Sequence, residues 1–105
     1  MAPQQIYRAL ADPTRREILR LLREGDLASG EVAARFAMSW PSVSRHLGVL
    51  AGAGLIEAEK RGGHQVYRLT TSVLADIATE LADLARLGAE TEARGAAAEQ
   101  EEVRP

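Results

Sequence analysis

Apolar positions recur along the first half of the chain at spacings of three and four, then change to twos, then return to helical spacing. Residues 4–11 are a short helical segment with Ile6, Tyr7 and Leu10 on one side. Asp12-Pro13 punctuates it, because Asp caps a helix start and Pro is tolerated in the first turn. A second helix is predicted from there, with Ile18, Leu19 and Leu22 inward, Arg16, Glu17, Arg20 and Arg23 outward, and Gly25-Asp26 as its stop. A third, short helix over 29–36 buries Val32, Ala33 and Phe36, with Ser29 or Ala28 at the cap. After the tight connection Ala37-Met38, Ser39 caps a fourth helix that carries Pro41 in its first turn, runs over about 39–53 and faces Val43, Leu47 and Leu50 inward.

From Leu55 the alternation is roughly in twos through Lys60, and again from Gln65 to Leu69, around Arg61-Gly62-Gly63-His64. Two glycines between two short strands predict a hairpin. Thr70, Thr71 or Ser72 then caps a last helix over 72–88, presenting Val73, Leu74, Ile77, Leu81, Leu84 and Leu87. The segment 89–105 is mostly Ala, Glu, Arg and Gln, with one Val, one Thr, one Gly and one Pro, read as a frayed helix end and a disordered acidic tail. The expected fold is mainly α with a small β-hairpin, α-α-α-α-β-β-α, a winged helix-turn-helix in one domain over 1–88.

Charge sharpens this picture. The net charge is −2, but residues 1–70 hold ten Arg and Lys against seven Asp and Glu, a balance of +3, while residues 71–105 stand at −5, with three against eight. A basic body with an acidic end is compatible with a polyanionic partner. With no cysteine in the chain, disulfides, thiolate metal sites and cysteine nucleophiles are excluded. Two histidines leave little material for an imidazole metal site. No apolar run reaches the ~18–20 residues of a membrane span, and the first five residues lack a basic segment followed by an apolar stretch, so neither membrane insertion nor a secretory signal is expected and the protein is placed in the cytoplasm. No catalytic dyad, phosphate loop or metal motif is present, so an enzyme is not expected and no cofactor is assigned.

Two helices joined by a tight turn form the unit whose second helix enters the major groove of double-stranded DNA. On the wheel of the fourth helix Pro41, Ser44, Arg45 and Gly48 point away from the leucine stripe. Small residues allow close approach to base edges, Ser bonds to several bases and Arg reads guanine. The helix start, with Ser39 and Ser42, suits phosphate oxygens. Trp40 either leans on the sugar–phosphate backbone or a thymine methyl, or covers the turn near Phe36. Lys60, Arg61 and His64 at the hairpin tip, with Arg68 on the strand, form a basic wing over 57–69 directed to the backbone or minor groove. His46 lies beside the apolar stripe and is read as a packing residue. Arg15 and Arg16 are read as reaching phosphates or, more simply, as surface ion pairs.

The runs from Leu10 to Leu19, from Ser39 to Leu50 continuing into Ala53-Gly54-Leu55-Ile56, and from Gly62 to Leu69 resemble the ArsR-type (ArsR/SmtB) transcriptional repressors, in their cysteine-free autorepressor-like branch. The resemblance spans about 4–88. It implies a homodimer on a palindromic operator, with the first and last helices as interface. Ile6, Leu10, Leu74, Ile77, Leu81 and Leu84 agree, being more apolar surface than two terminal helices of one small core require. The metal-sensing members' thiolate box corresponds to Ala28 and Gly30, and their second site to Thr71, Val73, Leu84 and Leu87, which cannot ligate as a set. The remaining metal alternative is a divalent ion, nickel or zinc, on His46 or His64 with Asp76, Glu80 or Asp83. The alternative outside DNA binding is a protein-binding module acting through the acidic stretch from Glu90 to Glu102.

Overall fold

The computed structural model describes residues 3–103, with side chains described over 4–96. The chain forms α1 (Pro3–Leu10), α2 (Pro13–Arg23), β1 (Leu27–Ala28), α3 (Ser29–Ala34), α4 (Trp40–Gly52), β2 (Ile56–Arg61), β3 (His64–Leu69) and α5 (Thr71–Val103). It divides into two compact units, one through Val73 and one from Leu74 on. That division falls earlier than the expected boundary at 88/89.

In the first unit the helix starts are set by the residues that predicted them. Asp12 accepts the backbone N–H groups of Thr14 (2.8 Å) and Arg15 (3.2 Å), with Pro13 in the first turn of α2. The carboxyl is held below the usual Asp range, first by the Arg15 N–H, with burial opposing, then by the Thr14 N–H and by smaller effects of His46 and Arg15. Ser39 caps α4 by accepting the Ser42 N–H. At its other end, the Gly54 N–H donates to Ala51 and the Leu55 N–H to Leu50, with Gly54 at φ 75°. This Schellman arrangement brings two buried leucines, 50 and 55, together across the helix end.

The third helix departs from expectation. It ends at Ala34, and the Arg35 and Phe36 N–H groups bond three residues back, to Val32 and Ala33, so the chain stays coiled but tightens out of α geometry. Ala28 occupies the cap position, and the Glu31 carboxylate supplies the reaching-back half of a capping box by accepting the Ala28 N–H at 2.9 Å. Strand β1 was not anticipated. It pairs antiparallel with β3, Leu27 opposite Tyr67 and Ala28 opposite Val66, giving a three-stranded sheet in the order β1-β3-β2. The hairpin register runs from Ile56 opposite Leu69 to Arg61 opposite His64. Its loop is Gly62-Gly63, both at positive φ (55° and 82°), as a two-residue turn matched to strand twist requires.

Ile18, Val32, Val43, Leu47, Leu50, Leu55 and Ile56 are fully buried. They come from α2, α3, α4 and the start of the sheet, so the inner face of α4 is anchored by α2, α3 and the sheet.

The second unit is the helix from Leu74. Ile77 is buried, while Leu81, Leu84 and Leu87 are 49%, 56% and 59% exposed. The segment read as a frayed helix end and a tail is helix as far as Val103, and residues 104–105 lie outside the described residues. Ala, Glu, Arg and Gln are strong helix formers and need no core to favour that state. The acidic side chains from Glu99 to Glu102 lie outside the described side chains. Among the described residues, no helix is long and apolar enough to cross a membrane.

Candidate nucleic-acid interface

The exposed face of α4 is built by subtraction. Val43, His46, Leu47 and Leu50 are buried, which leaves Pro41, Ser44, Arg45 and Gly48 outward and exposed. Arg45 makes no hydrogen bond or ion pair among the described residues. A charged, unsatisfied guanidinium thus stands on a face of small residues.

The helix start is more committed. The Ser39 hydroxyl donates to Ser42 Oγ at 2.9 Å while accepting the Ser42 N–H. The two serines hold each other, and Ser42 is half-buried. Trp40 is 52% exposed, and its ring covers Gly30: a Cβ there would sit 3.7 Å from Trp40 Cζ3. The indole therefore packs across the turn onto the first residues of α3 and leaves its other half open.

The wing places its basic residues unequally. Lys60 and His64 are exposed and unpaired among the described residues. Arg61 donates to Glu59 through Nε (3.2 Å) and Nη2 (3.0 Å), and to Asp26 at 3.2 Å. These contacts raise its already high pKa, the bond to Glu59 most and the bond to Asp26 next. Arg68 donates to Glu57 at 3.1 Å. Sequence reasoning gathered these four basic residues and missed the three carboxylates that answer Arg61 and Arg68. The register offered the signal, because a Gly62-Gly63 loop sets Glu57 opposite Arg68.

Of the two roles expected of Arg15 and Arg16, the ion pair with a neighbour is present at Arg15, whose Nη1 lies 3.9 Å from Asp12 Oδ2, and both side chains also bond the end of α1. Arg15 donates to the carbonyls of Ala9 (2.7 Å) and Arg8 (2.8 Å), and Arg16 to that of Leu10 (2.8 Å). The carbonyls of Ala9 and Leu10, and that of Arg8, which also accepts the Ala11 N–H, are thereby bonded by α2 at the end of α1. Glu17 pairs instead with Arg20. His46 is buried, as a packing residue should be, with Nδ1 3.3 Å from Arg15 Nη1.

The residues expected at a dimer interface also divide. Ile6 and Ile77 are 7% and 6% exposed, and Leu10 and Leu74 are half-buried. Leu81 and Leu84 are open, together with Leu87. Among the described residues, no group of three or more His, Asp or Glu side chains could hold a metal ion. His46 turns Nδ1 to a guanidinium, and Asp83 is engaged by Arg86.

A helix-turn-helix domain family model matches residues 10–59. The transcriptional repressor SdpR of Bacillus subtilis is 44% identical over 71 residues, which are 68% of this chain and 79% of that protein. An ArsR-like transcriptional regulator from Rhodococcus sp. RHA1 superposes with a TM-score of 0.72 at 35% identity, covering 92% of this chain and 89% of that one. A homodimeric winged helix-turn-helix DNA-binding domain from Mycobacterium bovis does so with a TM-score of 0.65 at 30% identity, covering 84% and 82%.

Proposed function

Because the chain belongs to the ArsR family of winged helix-turn-helix transcriptional regulators, we propose that it is a sequence-specific DNA-binding repressor that acts as a homodimer on a palindromic operator. The observation that carries this reading is the outward face of α4, with Arg45 exposed and unpartnered between Ser44 and Gly48 while Leu47 and Leu50 are fully buried behind it. Arg45 reads a base edge in the major groove, most simply guanine, and Ser44 a neighbouring base. Pro41 and the half-open Trp40 lie along the sugar–phosphate backbone, where the N-terminal amides of α4 receive a phosphate. Ser39 and Ser42 act chiefly as the cap that fixes where that helix begins.

The wing follows the backbone into the adjacent minor groove, with Lys60 and His64 as its free contacts and Arg61 and Arg68 as guarded ones. Dimerisation uses the exposed Leu81, Leu84 and Leu87 of the second unit. A two-fold dimer sets the two reading helices about one turn of DNA, ~34 Å, apart. Repression accords with the name of the Bacillus relative. A regulator of this kind works where the DNA is, in the cytoplasm, and the reading assigns it no catalytic step.

Selection of bound duplexes from a random pool tests the reading. Recovery of a sequence motif with two-fold symmetry supports it. Recovery of no motif, or binding that is equal on every sequence, contradicts it.

A further inference from the structure

Asp26 ends the connection that leaves α2, and Glu59 lies on β2. Both grip the same guanidinium, Arg61 at the wing tip, with three hydrogen bonds of 3.0–3.2 Å. Next to them Arg68 is answered by Glu57 across the hairpin. Lys60, Arg61 and Arg68 are thus matched by Asp26, Glu57 and Glu59, three charges against three. A wing meant only to attract phosphate would carry no such carboxylates, because each one cancels long-range attraction and competes with phosphate for the same donors. Asp26 immediately precedes β1, the strand on the other side of β3 in the same sheet, so its bond ties the wing tip to the segment that leaves α2.

Building on the DNA-binding reading, we propose that Asp26 and Glu59 form an electrostatic latch that withholds Arg61 from phosphates of arbitrary sequence and releases it only where the operator draws the wing into its groove. The latch raises discrimination by lowering affinity for DNA in general, a device of specificity by penalty on the wrong partner. Asp26 is a positioning residue in this scheme, since it acts through Arg61.

The test is titration of the full-length protein with a mixed-sequence duplex over a range of salt concentrations. Asp26→Asn keeps the shape of the side chain and removes its charge. The variant is expected to bind mixed-sequence DNA about two- to fivefold more tightly. Its plot of log affinity against log salt is expected to steepen by about 0.9, one additional phosphate contact. In an Arg61→Ala background the same change should lose more than half of that gain. Glu59→Gln supplies the equivalent experiment if circular dichroism finds Asp26→Asn unfolded. An unchanged affinity and slope, or a gain that persists undiminished without Arg61, overturns the latch and leaves the DNA-binding reading standing. Failure of the wild-type protein to bind any duplex overturns both.

Discussion

Arg15 on α2 donates to Nδ1 of His46 on α4, 3.3 Å away, while the rest of its guanidinium closes the last turn of α1. One side chain therefore joins three helices at the rear of the α4 face.

Replacing Arg15 by Ala removes donors from two carbonyls and from a buried imidazole together. The expected loss is about 1–3 kcal/mol of unfolding free energy, measured by urea denaturation. Arg15→Lys should recover little of it, because a single ammonium cannot serve partners spread across a planar fork. Full recovery by Lys would mean that charge alone matters at this position.

Asp12 gives the stability a pH dependence of defined sign. Its carboxyl titrates below the usual range in the folded protein, chiefly because it accepts the Arg15 N–H. The contribution of the ionised form is therefore complete above the unfolded value of about 3.9 and is lost as pH falls through the lower folded value. Asp12→Asn retains a capping oxygen and cannot titrate. Denaturation followed from neutral pH into the acid range should give a shallower decline for the variant than for the wild type. Superimposable declines would count against the assignment.

The wing turn depends on two left-handed residues. Gly63→Ala places a Cβ at φ 82°, which costs roughly 1–2 kcal/mol, although no atom lies within 4 Å of that Cβ. The cost is conformational rather than steric. A lowered thermal midpoint with a normal circular dichroism spectrum is the expected result, and an unchanged midpoint would contradict the backbone reading.

Leu81 and Leu84 face solvent within the second unit. Leu84→Glu should therefore leave the fold of the first unit intact while converting dimers to monomers in light scattering. Retained dimer mass would move the interface elsewhere.

Much of this architecture was legible because it is local. Asp12 and Ser39 announce helix starts through their own chemistry, the leucine spacing gives the buried side of α4, and Gly62-Gly63 gives the hairpin. What escaped depends on distance in sequence or on a balance of small effects. Strand β1 is two residues long, too short to show a period, and exists by pairing with β3. Arg15 and Arg16 carry no mark in the sequence that tells a carbonyl cap from an ion pair. Residues beyond Gly88 lack an apolar stripe, yet their helix propensity suffices to extend α5. At the candidate interface, the exposed face of α4 followed from the wheel, whereas the engagement of Arg61 by Asp26 crosses 35 residues and had no sequence signal.

The central claim is that the outward face of α4 reads DNA through Arg45. Titration of the wild type and Arg45→Ala on the selected operator tests it most directly. The account predicts a loss of about 1–3 kcal/mol, roughly five- to 150-fold in affinity, and a relaxed base preference at one position of each half-site. Equal affinity with an unaltered sequence preference would contradict it.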